Sequence, residues 1–168
     1  MAFVSTNILQ RVRADHSNTN TFVESALSTN LAIDRGYIWL INRIQFYAAT
    51  PIQDPAAGAM ESFQFQVTRE SKTSIITTLN QPDLICLCKE QVVRSAAIGT
   101  DAGPLWISNR WPLVIDFPIP LAFAGNNLYF ATQSSHASSC VMSVEVQFTL
   151  QKVKENDYLR IASALLLT

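Results

Sequence analysis

The sequence predicts an all-β chain folded as a single antiparallel β-sandwich. Two stretches and one absence carry that prediction. In residues 140–151, Cys140, Met142, Val144, Val146, Phe148 and Leu150 alternate with Val141, Ser143, Glu145, Gln147, Thr149 and Gln151, the period of a strand with one face in a core. In residues 113–123, the odd positions Leu113, Ile115, Phe117, Ile119, Leu121 and Phe123 are all large and apolar. Between such stretches no helical pattern supplies the crossovers that a parallel sheet requires.

The elements follow in chain order. Residues 1–20 form an N-terminal arm, in which Val4, Ile8 and Val12 have spacing suited to a short helix. Residues 22–33 place Val23, Leu27, Leu31 and Ile33 on one parity and read as a strand, closed by the turn Asp34-Arg35-Gly36. Residues 37–48 are rich in aromatic and β-branched side chains and predict a long strand, with Ile38, Leu40, Ile44 and Phe46 on one face. In residues 63–68, Phe63, Phe65 and Val67 alternate with Gln64, Gln66 and Thr68, a half-exposed strand. Residues 74–79 predict a shorter strand, and residues 84–93 a further one carrying Cys86 and Cys88. A glycine-containing loop then leads through Leu105-Trp106-Ile107 into residues 111–123.

Pro118 and Pro120 share a parity there. Proline cannot donate to a ladder, so this strand must lie at an edge, bend, or pass between sheets. Gly125-Asn126-Asn127 makes a turn into a strand at 128–132. After the last long strand, Glu155 or Asn156 can cap a short helix from Asp157 to about Leu166, with Tyr158, Ala162 and Leu165 on one side. The expected division is an arm at 1–20, a sandwich at 21–153 and a helical tail at 154–168. Eight strands with long connections favour a jelly roll over an immunoglobulin-type sandwich.

Composition narrows the function. Charged residues make up 15% of the chain, against about 25% in typical soluble proteins, which suits a surface that is hidden against copies of itself. Twelve Lys and Arg against thirteen Asp and Glu leave a net charge of −1, so bulk attraction to nucleic acid is not indicated. Arg11 and Arg13 are too few to make a nucleic-acid-binding arm. No apolar run is long enough for a signal peptide or a membrane span, and the expectation is a protein made without a secretory address.

Catalytic patterns do not emerge. A Ser–His–Asp site needs a positioned histidine. His16 falls in the arm, and His136 in a small-residue loop without a nucleophile elbow. The five glycines are scattered and form no phosphate loop. Cys86, Cys88 and Cys140 are an odd set; the first two, two apart on a strand, are expected to act as buried apolar groups, and a zinc site would need more ligands than two distant histidines supply. No catalytic residue, metal or cofactor is assigned. Trp106 and Trp111 flank a short loop and are candidates for an interface anchor or a sugar-stacking platform, whereas Trp39 belongs to packing.

An arm, a Ser/Thr-rich strand, the aromatic strand at 37–48, the turn and strand Gly-Asn-Asn-Leu-Tyr-Phe at 125–130, a final alternating strand and a short capping helix make an order and texture that covers nearly the whole chain. It resembles the single jelly-roll structural proteins of tailless icosahedral viruses, including the small major capsid proteins of membrane-containing viruses of bacteria and archaea. The resemblance implies a self-assembling, non-enzymatic capsid protein, made in the host cytoplasm and located in the virion. Its partners would be copies of itself, other virion proteins and an underlying membrane. The acid-rich surface of haloarchaeal members and the basic arm of many RNA-virus capsid proteins are both missing, which implies a non-halophilic host and a genome not held by this terminus. Assembly-interface candidates are Phe3, Ile8 and Val12 in the arm, Trp106 and Trp111, and Tyr158, Leu165 and Leu166 in the tail. The alternative is a ligand- or carbohydrate-binding β-sandwich, such as the receptor-binding head of a phage fibre or spike; a cupin-type enzyme lacks the clustered histidines it needs.

Overall fold

A computed structural model describes residues 9–18, 21–28, 37–48, 60–78, 80–94, 105–107, 113–135, 140–157 and 159–160. Among them are nine strands: β1 (Leu9–Asn18), β2 (Val23–Ser28), β3 (Tyr37–Ala48), β4 (Met60–Thr68), β5 (Leu84–Arg94), β6 (Leu105–Ile107), β7 (Leu113–Phe123), β8 (Asn127–Ser134) and β9 (Cys140–Lys152). They form two antiparallel sheets, ordered β1-β9-β3-β7 and β2-β8-β4-β5-β6.

That order is a rolled-up hairpin. The chain pairs β1 with β9, β2 with β8, β3 with β7, and β4 with β5, and successive pairs alternate between the two sheets. Eight strands wound in this way are a jelly roll; the three-residue β6 adds to the free side of β5. The sandwich and the jelly-roll order match the sequence expectation, but the membership differs. Of the predicted strand at 74–79, residues 74–78 are not strand and Leu79 lies outside the described residues, and β1 stands where an arm was expected.

β1 was hidden because its inward positions are Gln10, Val12, Ala14 and His16, too polar and small to show an apolar alternation. Pairing along its whole length with β9 makes it a strand. Residues 1–8 lie outside the described residues, as do 29–33 at the end of the predicted second strand. The C-terminal helix starts at residue 155, so Glu155 and Asn156 lie inside it rather than capping it; helix is described at 155–157 and 159–160, and the rest of that prediction falls outside the described residues.

The core lies between the sheets. Trp39, Ile41, Ile44 and Phe46 of β3 and Met142, Val144, Val146 and Phe148 of β9 meet Phe63, Phe65 and Val67 of β4 and Leu128 and Phe130 of β8. Rings lock the layers, with Phe46 5.2 Å from Phe65 and 6.3 Å from Phe130; within the first sheet Trp39 lies 4.5 Å from Phe148. Cys86 is in this core and Cys88 packs against it. Burial holds the Cys86 thiol far above its ordinary pKa, so it behaves as a small apolar group.

β3 corrects the expected face. Its inward residues are Trp39 and Ile41, then Ile44 and Phe46. Ile41 pairs with Phe148 and Arg43 with the adjacent Gln147, so Asn42 is an extra residue, a β-bulge. The bulge shifts the parity by one, which a strict period of two cannot anticipate. The Asn42 amide donates to the Leu40 carbonyl at 3.2 Å.

β7 is an edge strand of its sheet, as its prolines require. Ile41 faces Leu121 and Arg43 faces Asp116, so residues 117–120 stand opposite Asn42 alone. The Pro118-Ile119-Pro120 segment therefore leaves the ladder. Ile119, expected on the core face, is 85% exposed.

The β7–β8 turn is pinned from below. The Trp39 indole donates to the Gly125 carbonyl at 3.1 Å, and the Phe123 ring packs so close under Gly125 that a Cβ there runs into it. Gly125 is needed for space. Gly125→Ala is expected to lower stability by about 1–3 kcal/mol, the usual cost of overpacking. Urea unfolding of the two proteins checks this.

Candidate functional site

Three regions outside the core have distinctive chemistry: the outer face and free edge of the β1-β9-β3-β7 sheet, a buried histidine, and a cleft beside the second sheet.

The outer face is polar and charge-balanced. Arg11 pairs with Glu145 at 3.7 Å, Arg13 with Asp15 at 2.9 Å, and Arg43 with Asp116. Hydrogen bonds from Ser143 and Arg13 hold the Asp15 carboxyl below the usual range, and the bond to Asp116 raises the Arg43 guanidinium. Exposed pairs of this kind each contribute only about 0.2–1 kcal/mol. Their consequence is a surface with its cations already matched, poorly suited to a polyanion. Apolar side chains stand out from it: Leu9 at one edge, 51% exposed, and Val114 and Ile119 at the other, 42% and 85% exposed.

His16 lies between the sheets rather than in an arm. Its Nδ1 is 3.0 Å from the Thr132 hydroxyl and its Nε2 is 2.8 Å from the Ser25 hydroxyl. The ring stacks on Phe130 with centroids 4.6 Å apart. One side chain of β1 thus ties the first sheet to β2 and β8 of the second.

Residues 69–83 cross the outer face of the second sheet. The Glu24 carboxylate accepts from the Ser71 hydroxyl at 2.6 Å and the Lys72 backbone N–H at 2.8 Å. The buried Gln66 amide accepts from the Ile76 N–H at 2.8 Å and donates to the Ser74 carbonyl at 3.3 Å. These side-chain bonds take the place of a ladder, and consecutive Ile75 and Ile76 are both buried. The described part of the β-branched run, residues 74–78, is therefore a covering loop.

Where this loop meets the β7–β8 turn there is a cleft of about 560 Å3, lined in part by Arg69, Glu70, Pro82, Asp83, Asn126 and Tyr129. The Arg69 N–H donates to the Asp83 carbonyl at 2.8 Å and its guanidinium to the Pro82 carbonyl at 3.0 Å. Burial lowers the Arg69 pKa, opposed by Asp83; Lys72 pairs with the Asp83 carboxylate, which raises the lysine. None of these residues was read as a site from the sequence, in which Asn126 figured only as part of a turn. The dense polar run Arg69-Glu70-Ser71-Lys72, answered by Pro82-Asp83 just before the next strand, was the available signal.

Of the predicted interface residues, Val12 is half-buried in β1 and packs against the chain's own core. Trp106 lies in β6, opposite Val93. Phe3, Ile8, Trp111, Tyr158, Leu165 and Leu166 lie outside the described residues, as does His136. Among the described residues no cluster of three potential metal ligands occurs, and no helix is long and apolar enough to cross a membrane.

No family model matches the chain, and no curated protein matches it. Among solved structures it is similar to VP1 of Trichodysplasia spinulosa-associated polyomavirus, at 8% identity and a TM-score of 0.46, over 87% of this chain and 96% of that one. The jelly-roll assignment rests on the strand order of the chain itself.

His16 gives the fold a pH dependence. Burial pushes its pKa below the ordinary 6.5, and the neighbouring Asp15 partly restores it. The unfolded chain therefore takes up this proton first as the pH falls. The histidine's contribution is complete above about pH 6.5 and declines as the pH drops through that value toward the folded pKa. Asp15 is lowered from 3.8, so its own loss comes at more acid pH. Unfolding free energy measured from pH 7.5 to 5 should fall more steeply for the native chain than for His16→Gln; parallel curves would contradict the assignment.

Proposed function

We propose that this chain is a structural protein that assembles with copies of itself, as a subunit of an icosahedral viral capsid. The jelly roll supports the reading without deciding it, because the same architecture serves capsid and lectin domains and cupins. The observation that carries it is Ile119. Two prolines lift a large apolar side chain out of an edge strand and hold it in solvent. The same prolines keep that part of the edge from pairing indiscriminately with another strand. An edge that is closed to sheet extension and armed with an apolar knob suits one defined contact between subunits. The low charge content and the internally matched outer face fit a surface covered by neighbours.

A cupin-like role has little support, since both nitrogens of His16 are engaged by hydroxyls inside the sandwich. Residues 1–8, with Phe3 and Ile8, and the tail with Tyr158, Leu165 and Leu166 are proposed as further subunit contacts, together with Trp106 and Trp111. Other virion proteins and an underlying membrane are proposed partners, and the virion the proposed location. β1 belongs to the sandwich, so a truncation that tests the arm has to end before Leu9.

Ile119→Asp should reduce the assembled fraction at least about tenfold at fixed concentration, as light scattering measures it. Its unfolding free energy should stay within about 0.5 kcal/mol of the parent, as for an ordinary surface substitution. Assembly equal to that of the parent chain would sink the proposal.

A further inference from the structure

We propose that the cleft between residues 69–83 and the β7–β8 turn binds a neutral carbohydrate. This goes beyond the assembly reading and does not depend on it. At about 560 Å3 the cleft lies in the range that holds a small ligand.

Both walls are preformed. On one side, the Arg69 backbone and guanidinium are tied to Asp83 and Pro82, and Lys72 secures the Asp83 carboxylate. On the other, Trp39 holds the Gly125 carbonyl and the Phe123 ring fills the space beneath the turn. A ligand entering there would find its partners already placed, which lowers the ordering cost of binding.

The lining selects the ligand class. Arg69 offers planar N–H donors, Glu70 offers carboxylate acceptors, and Asn126 and Asn127 offer both from one amide. Tyr129 adds an aromatic ring with a hydroxyl. The positive charge of Arg69 is answered by Asp83, and that of Lys72 by its pair with Asp83 and by the nearby Glu70. No surplus positive charge is therefore left to draw in a phosphate or carboxylate. The lysine on Asp83 likewise disfavours a metal cation. What fits is an uncharged molecule with closely spaced groups that each donate and accept, and with an apolar C–H face for the tyrosine ring. Sugar hydroxyls on a pyranose ring have that pattern.

The test is saturation-transfer NMR, with titration, on the purified full-length chain against galactose, N-acetylglucosamine and cellobiose, with glucuronic acid and inorganic phosphate as charged probes. At least one neutral sugar should bind. Asn126→Ala, at an exposed position of the turn, and Tyr129→Ala should each weaken that binding about tenfold, while Thr77→Ala, exposed on the same loop but outside the lining, should not. Circular dichroism checks that each variant is folded. Three results overturn the proposal: no neutral sugar binds, binding survives both cleft substitutions, or a charged probe binds more tightly than every neutral one. Sugar binding without particle formation would leave this site standing while removing the assembly reading, so the two fail separately.

Discussion

The contact of Phe46 with Phe65 and Phe130 is the one on which the rest of the molecule depends. It joins the centre of one sheet to the centre of the other. A sandwich draws most of its cohesion from the apolar faces it encloses. β3 can bring Phe46 and Trp39 to the same face only because Asn42 is inserted between them as a bulge. Without it, either the Trp39–Phe148 contact or the Phe46–Phe65 contact would point to solvent. The same bulge sits opposite the segment where Pro118-Ile119-Pro120 leaves the ladder. One irregularity in the central strand thus coincides with the edge feature proposed for assembly.

The surfaces follow from this core by subtraction. Once the inward faces are apolar, the outward faces are free to carry function. The outer face of the first sheet pairs its own charges and leaves a few apolar side chains at its edges. The second sheet is roofed by residues 69–83, held by Glu24 and Gln66, side chains that point away from the core. The cleft exists because that roof stops short of a turn fixed by Trp39 and Phe123. A core tryptophan therefore shapes a surface site, through one hydrogen bond to a carbonyl.

Much of the architecture was legible in the sequence. The unbroken alternation of residues 140–151 revealed β9 because a strand between two partners, with one face buried, leaves a clean period of two. The prolines of β7 revealed an edge because they lack the N–H that an interior strand must donate. Cys86 read correctly as a core group, whereas Cys88, expected to be buried with it, is half-buried and packs against the core. The rest was hidden for physical reasons. β1 buries a histidine on two hydroxyl partners and turns a half-buried glutamine inward, so its inward face is not apolar in sequence. The phase of β3 turns on a bulge whose only sequence trace is an asparagine. Ile75 and Ile76 are buried because they cover a sheet, and such a β-branched pair does not distinguish covering a sheet from belonging to one. The cleft joins residues some forty to sixty positions apart, and no local pattern reports such a meeting.

The central claim is that a chain of this fold, with this edge, is built to join copies of itself. Sedimentation equilibrium of the purified chain over a wide concentration range, with electron micrographs of the same samples, tests it most directly. Species far heavier than the 18.6 kDa chain, resolving into particles of uniform size, are expected. A single species of 18.6 kDa at every concentration, with no particles in the micrographs, would contradict it.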